Sequence, residues 1–384
     1  MGKAAQVPVT PSVLEWAMEE SGYAPAEVAT KVGVSADTLN EWLRGDSQPG
    51  MTQFRRLATL LRRTPSTLLL PEPPSRPTPK VEFRRSPSAT RTALTPRERL
   101  YIREASRIQS LVSWLEGEMR EQVEPLPRFT NLEPETAAAH ICAMLPHPSD
   151  DDSVQTPAQA FRWWRSSLER LGVLVFGFPL GRGAVHGFSL SSDTAPVVAV
   201  NTWWRSEARS FTVFHELGHL LTGTASACLE AGPRFARPTD NIERWCERFA
   251  ASVLLPREAV ESFISRQLRR PLNLRVTTLD VPTRIATRFR VSLRAATLRL
   301  IEMNLAEWSL YEEIQPASET KPKGGGGGGM ERGELRASQY GDRTVGLFLR
   351  ALGQDVLGRT DVLDALNISD SDLSKLVGRR RRTA

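Results

Sequence analysis

Eleven residues, Phe211-Thr-Val-Phe-His-Glu-Leu-Gly-His-Leu-Leu221, limit what this chain can become more than any other stretch. Phe211, Phe214, Leu217, Leu220 and Leu221 recur at helical spacing, so the segment reads as a buried helix. Inside it lies His215-Glu216-Leu217-Gly218-His219, an H-E-x-x-H pattern. Residues four apart on a helix stand one above the other. His215 and His219 can therefore aim both imidazoles at one cation, while Glu216 leans toward its open side. Two neutral imidazoles suit a divalent transition metal, and a carboxylate in that place can take a proton from water there. The plainer alternative makes the histidines satisfied core residues; the spacing on an apolar helix favours the metal.

The 384 residues suffice for two or three domains and at least one sizeable core. With 40% hydrophobic and 24% charged residues, the composition is that of a soluble globular chain. Cys142, Cys228 and Cys246 are few, odd in number and without C-x-x-C spacing, which argues against a disulfide framework and for a reducing cytoplasm. No run of about 18 apolar residues is present to cross a bilayer, and no secretory signal opens the chain. The expected location is cytoplasmic, with no membrane partner.

Residues 11–70 read as short helices at 12–20, 24–32, 35–43 and 52–61, with Ser35 as the N-cap of the third. The series Glu27-Val28-Ala29, Gly33-Val34-Ser35, Leu39, Trp42-Leu43, Gly45, Pro49 and Leu57-Ala58 resembles XRE-type helix-turn-helix domains. That resemblance implies a helix entering the DNA major groove, with Ser35, Ala36, Thr38, Asn40 and Arg44 as the DNA-facing residues. Residues 10–73 hold six basic and eight acidic side chains, with Asp37 and Glu41 on the would-be recognition helix. Non-specific affinity comes mainly from neutralised phosphates, so this domain alone is expected to bind DNA weakly. A dimerisation or repressor-recognition module on the same fold is the competing expectation, and it would make a homodimer. Residues 74–98 form a Pro/Arg-rich linker, stiff and extended. From Pro74 to Leu100 seven basic residues face two acidic ones, enough to add a grip on nucleic acid or simply to keep a connector solvated.

Helices are predicted at 97–123, 134–144 and 157–171, and then the period changes. Residues 172–177, 185–189 and 196–201 are short β-branched runs bounded by Gly, Pro and Ser, hence strands. The His-Glu helix with a strand beside it resembles the zincin arrangement, which implies a strand edge that pairs with an extended peptide, with His186 or Asn201 lining the cleft. Residues 272–304 carry helices whose Phe289-Arg-Val-Ser292 grammar again looks like helix-turn-helix and is expected to pack on the preceding domain. A Gly-rich linker at 316–329 precedes a small helical unit at 330–384 that ends in the basic tail Arg379-Arg-Arg-Arg382.

Two His ligands leave zinc in need of a third protein group, with the fourth position open. Glu243 lies 24 positions past His219 on a predicted helix, with Glu247 four residues further. Glu243 can bind the metal while Glu247 accepts the outer N–H of a ligating imidazole. The opposite order stays open, and Glu230 in the intervening loop is a third candidate.

Three segments, Pro196-Val-Val-Ala-Val-Asn201, Arg209-Ser-Phe-Thr-Val-Phe-His-Glu-Leu-Gly-His-Leu-Leu221 and Ile242-Glu-Arg-Trp-Cys-Glu-Arg-Phe-Ala-Ala-Ser-Val-Leu-Leu-Pro256, together resemble the ImmA/IrrE family of metallopeptidases over residues 160–310. The resemblance implies a zincin fold, a single Zn2+, and site-specific cleavage of a helix-turn-helix transcriptional repressor that releases phage, mobile-element or stress-response genes. Carried over, His215, His219 and Glu243 are ligands and Glu216 is the general base. Many members have Ala-Asn where this chain has Cys246-Glu247, which leaves the ligand choice open. The expected fold is α+β and mostly helical: a zincin-like core with a small sheet at 99–315, preceded by an all-α helix-turn-helix domain at 1–73 and followed by the small helical unit. The expected partners are the protein substrate, and DNA through the N-terminal domain and basic linker. The rival class is a DNA-binding or antitoxin-like regulator that keeps the peptidase fold as a sensor or scaffold.

Overall fold

A computed structural model describes residues 6–74, 82–84, 94–121, 124–129, 131–223, 238–314 and 331–383. The chain divides into two compact units, residues 1–79 with 88–104 and residues 80–87 with 105–384. Most of the Pro/Arg-rich stretch, Cys228, Glu230, the Gly-rich linker and the side chains of Arg379–Arg382 lie outside the described residues.

In the first unit, helices α1 (Pro11–Ser21), α2 (Pro25–Val32), α3 (Ala36–Arg44) and α4 (Met51–Leu61) close around Leu14, Val28, Leu39, Trp42, Leu57 and Leu61. The α2–α3 turn shows why the local sequence forms a helix-turn-helix. Gly33 takes the left-handed conformation (φ 83°) that ends α2, and Ser35 Oγ accepts the Thr38 amide at 3.1 Å to start α3. Arg56 donates to the Val32 carbonyl at 2.9 Å, satisfying an end group of α2.

The second unit holds a four-stranded sheet in the order β1-β3-β4-β2, with β1 Glu82–Arg84, β2 Leu174–Phe178, β3 Gly187–Leu190 and β4 Val197–Asn201. β2 and β4 run parallel, while β3 is antiparallel both to β4 and to β1. The three later strands follow the sequence expectation within two residues. β1 does not: it forms inside the stretch read as linker. A sequence scan sees only two or three favourable residues among prolines and arginines, and what makes them a strand is the edge of β3 supplied from elsewhere.

Helix α5 (Pro96–Glu118) spans the division between the units and is followed by α6 (Pro134–Met144) and α7 (Pro157–Arg170). After β4 come α8 (Ser206–Thr222), α9 (Pro238–Leu254), α10 (Arg257–Ser262), α11 (Asp280–Phe289), α12 (Leu293–Glu302), α13 (Trp308–Glu312), α14 (Arg332–Gly353), α15 (Arg359–Leu366) and α16 (Asp370–Thr383). Val175, Val198 and Val200 project from one face of the sheet into a core with Val213, Phe214 and Leu217 of α8, Phe249 and Val253 of α9, and Ile285 and Leu300 of α11 and α12. Ala296, Thr297, Arg299 and Leu300 of α12 are buried, so this helix-turn-helix-like pair packs within the unit, as expected.

Strand side chains alternate between faces, so Phe176 and Phe178 must be covered on the opposite side. Tyr340 of α14 covers them, with ring centroids at 5.6 and 6.2 Å. Arg165 of α7 donates to the Ser338 carbonyl at 2.7 Å, and Arg343 pairs with buried Glu116 at 2.6 Å. The C-terminal helices are therefore one flank of the sheet, not a separate unit as the Gly-rich linker suggested.

His147 shows the cost of building this core around a polar ring. It packs edge-on against Trp164 (5.0 Å) and Phe289 (5.6 Å), accepts the Ser149 amide through Nδ1 at 3.1 Å and donates through Nε2 to the Leu254 carbonyl at 3.2 Å. Burial holds its pKa down to about 4. The unfolded chain binds the extra proton first, so this group's contribution is complete above pH ~6.5 and is lost as pH falls toward 4. Urea unfolding at pH 7 and pH 4.5 is expected to show about 2–3 kcal/mol more destabilisation in wild type than in His147→Gln, which cannot take up that proton. Equal pH responses would remove His147 from this role.

Candidate metal centre

α8 starts just after β4 and runs under the sheet, with every residue from Thr212 to Leu221 buried. That burial follows from the apolar residues interleaved with the two histidines, and it carries His215, Glu216 and His219 into the interior with them. α9 then crosses α8 at very short range. A Cβ built on Gly218 would stand 3.0 Å from Cys246 Sγ and 3.3 Å from its Cα. Glycine at 218 therefore permits the approach that brings Glu243, one turn before Cys246, over the two imidazoles.

The outcome is a tight triangle. His215 Nε2 lies 3.2 Å from Glu243 Oε2, His219 Nε2 lies 3.4 Å from Glu243 Oε1, and the two Nε2 atoms are 3.3 Å apart. Among the described residues this is the one cluster of three or more His, Cys, Asp or Glu with metal-binding geometry. A tetrahedral ion with ligand distances of roughly 2.0–2.1 Å requires donors about 3.3–3.4 Å apart. The spacing of the two imidazole nitrogens matches that distance, and one donor atom from each of the three side chains lies within 4.8 Å of the others, so the group could hold a small cation. Burial pushes the Glu243 carboxyl up, but hydrogen bonds and charge from His215 and His219 outweigh it and hold the pKa down to about 2.

Glu216 is fully buried beside this triangle, and Ser189 of β3 donates to its Oε2 at 3.2 Å. Gly187, two residues earlier on the same strand face, makes the room: an added Cβ would meet Thr212 Cγ2 at 2.5 Å and Glu216 Cγ at 3.3 Å. Sequence reasoning named neither residue. An isolated glycine in a strand run signals close backbone approach, but nothing in the sequence says which helix approaches.

Glu247 does not join the cluster. It is exposed, and no hydrogen bond to either imidazole is found among the described residues, which corrects the expectation of an outer carboxylate partner. The reason is helical phase. Cys246, Phe249, Ala250 and Val253 form the buried face of α9, and Glu247 lies on the far flank of Glu243, away from that face. Instead Cys246 touches His219; burial pushes the thiol's pKa up, against that hydrogen bond. Asn201 is also not a cleft residue. It is fully buried, its Nδ2 donating to the Gly181 and Val185 carbonyls at 2.9 and 3.1 Å while its Oδ1 accepts the Trp203 amide at 3.0 Å. His186 stacks on Trp204 at 4.2 Å.

In the first unit, Ser35, Ala36, Asn40 and Arg44 are exposed on α3 and Thr38 is half-buried. Ser35 and Thr38 are engaged with each other in the cap, and Arg44 pairs with Asp46 at 2.8 Å. Asn40 is left presenting its amide to solvent, beside the exposed carboxylate of Asp37.

No helix among the described residues is long and apolar enough to cross a membrane. Residues 168–300 match the family model for the IrrE N-terminal-like domain, a peptidase family, and residues 14–68 match a helix-turn-helix model. No curated protein matches the chain. The first match supports a metal-dependent peptidase and the second supports DNA binding. Together the two matches fit the architecture of an ImmA/IrrE-type peptidase domain, which contains the His215–His219–Glu243 group, preceded by an XRE-type helix-turn-helix domain.

Proposed function

We propose that this protein is a zinc-dependent endopeptidase that cuts one specific protein, a helix-turn-helix transcriptional repressor, and so releases phage, mobile-element or stress-response genes. The observation that carries the reading is the convergence of His215 Nε2 and His219 Nε2, 3.3 Å apart, on the two oxygens of Glu243 at 3.2 and 3.4 Å, with buried Glu216 alongside. Two imidazoles and one carboxylate suit zinc better than magnesium or calcium, which take all-oxygen shells. When bound there, zinc supplies Lewis acidity toward a carbonyl oxygen and lowers the pKa of water.

The chain's own residues do the rest. His215, His219 and Glu243 would hold the ion. Glu216 takes a proton from the attacking water and passes it to the leaving amine. Ser189 holds Glu216 through Oε2, which fixes the carboxylate's rotamer before substrate arrives. Ser189→Ala is expected to lower turnover about ten- to a hundredfold at unchanged metal content, with Ser189→Thr recovering part of the loss. Turnover equal to wild type would show that this bond does not orient Glu216.

The helix-turn-helix domain suits a protein that meets its substrate on DNA or resembles it. The acidic face of α3, with Asp37 beside Asn40, fits weak DNA binding and equally a protein-recognition or homodimer role. In this reading the protein works in the cytoplasm, where Cys142 and Cys246 stay free thiols. The match to a helix-turn-helix family also favours a second reading, a DNA-binding regulator in which the peptidase fold only senses metal. Comparing the proteomes of cells producing wild type or Glu216→Gln separates the two. One DNA-binding protein cut only by wild type supports the peptidase; identical proteomes support the regulator.

A further inference from the structure

β3 and α8 advance in step. Gly187 lies against Thr212 and Glu216, and Ser189, two residues on, donates to Glu216. Two strand residues cover about 6.6 Å and four helix residues about 6 Å, so the match carries forward. Ser191 is the next residue of that alternation and Leu220 the next turn of α8, and both line one cavity of about 120 Å³. The cavity therefore stands one helical turn beyond Glu216, at the residue that follows His219.

Its lining sorts by depth. Pro196 and Leu220 are buried and Leu126 is half-buried, which makes an apolar floor, while Ser191, Arg128 and Asp193 are exposed at the rim. The wall is built before anything binds. Arg128 donates to the Leu220 carbonyl at 3.1 Å and the Phe129 amide to the Leu221 carbonyl at 2.8 Å, so the 124–129 loop is pinned to end groups of α8. Arg128 Nη2 also lies 3.6 Å from Asp193, so the rim charges answer each other and none points down to the floor as a lone charge. An apolar cavity of about 150 Å³ takes benzene; this one, somewhat smaller, suits a branched or linear aliphatic group. A charged side chain would lose its water there without gaining a partner.

We infer that this cavity is the subsite for one aliphatic side chain of the protein substrate, Leu or Met in size, on a residue within two positions of the bond to be cut. The word substrate here rests on the peptidase reading; the cavity does not. The two-position limit comes from geometry: an extended peptide repeats side chains on one face about every 6.6 Å, the same step that separates the cavity from Glu216.

The test is calorimetric binding of hydroxamates to the full-length, zinc-loaded protein, which needs no cleavage. Two pairs place an isobutyl group on either side of the metal-binding end: N-acetylleucine against N-acetylglycine hydroxamate, and 2-isobutylsuccinyl against succinyl hydroxamate. In one pair the isobutyl compound is expected to bind at least about tenfold more tightly, as for an aliphatic group filling an apolar pocket. Ser191→Trp, which puts an indole at the rim, should bring that pair within about twofold while the unsubstituted compound binds as before. Leu126→Ala, which deepens the floor, should move the preference from isobutyl to benzyl, and this decides the matter if Ser191→Trp is misfolded. No isobutyl preference in either pair, or a preference that survives both substitutions unchanged, overturns the inference. If the preference appears but no protein is ever cut, the aliphatic subsite stands and the peptidase reading falls. If a protein is cut but neither pair discriminates, the reverse holds. If no hydroxamate binds at all, both fall.

Discussion

Glu216→Gln is expected to keep a full complement of metal and to lose at least about a thousandfold in cleavage rate, within the range that a positioned general base contributes. The substitution preserves shape and the hydrogen bond from Ser189, which needs only an oxygen acceptor. It touches none of the three donor atoms, so the His215–His219–Glu243 triangle should remain. What disappears is the ability to hold a proton between water and the leaving amine. Cleavage of the repressor at a rate within tenfold of wild type would take Glu216 out of that role, whatever the metal content.

His219→Ala is expected to have the opposite signature, loss of the ion together with activity. Removing one of three donors leaves two, and the affinity should fall by well over the hundredfold that loss of an outer partner costs. The same change should remove the extra thermal stability gained from added zinc, since an ion that binds only the folded chain stabilises it by about 2.7 kcal/mol at a hundredfold excess over Kd. Glu243→Gln should behave similarly, because its carboxylate bridges both imidazoles at 3.2 and 3.4 Å. Glu247→Gln should change neither metal content nor activity, as an exposed side chain off the facing side of α9. A zinc-dependent melting shift surviving in His219→Ala would mean that the ion sits elsewhere.

These residues also show how much could be read before folding. The pattern in α8 pointed to three candidate site residues, because helical spacing alone puts His215 and His219 on one face. Glu243 followed from its place on a second helix, but the choice between it and Glu247 needed the phase of α9. That phase is set by Gly218 against Cys246, a contact between segments distant in sequence. Ser189 and Gly187 were invisible for the same reason: a strand shows its alternation but not which helix it lies beside. The helix-turn-helix was legible in detail, down to the Ser35 cap, since its turn is written in adjacent residues. The strand Glu82–Arg84 and the docking of α14 on Phe176 and Phe178 were not, because each depends on an edge or face that another part of the chain creates.

Elemental analysis of freshly purified protein decides whether His215, His219 and Glu243 hold an ion at all. Close to one zinc per chain is expected, removed by chelator, restored by one equivalent of added zinc, and missing from His219→Ala. A well-folded chain that arrives without a divalent metal and takes none up would contradict it and leave a helix-turn-helix adaptor in place of a hydrolase.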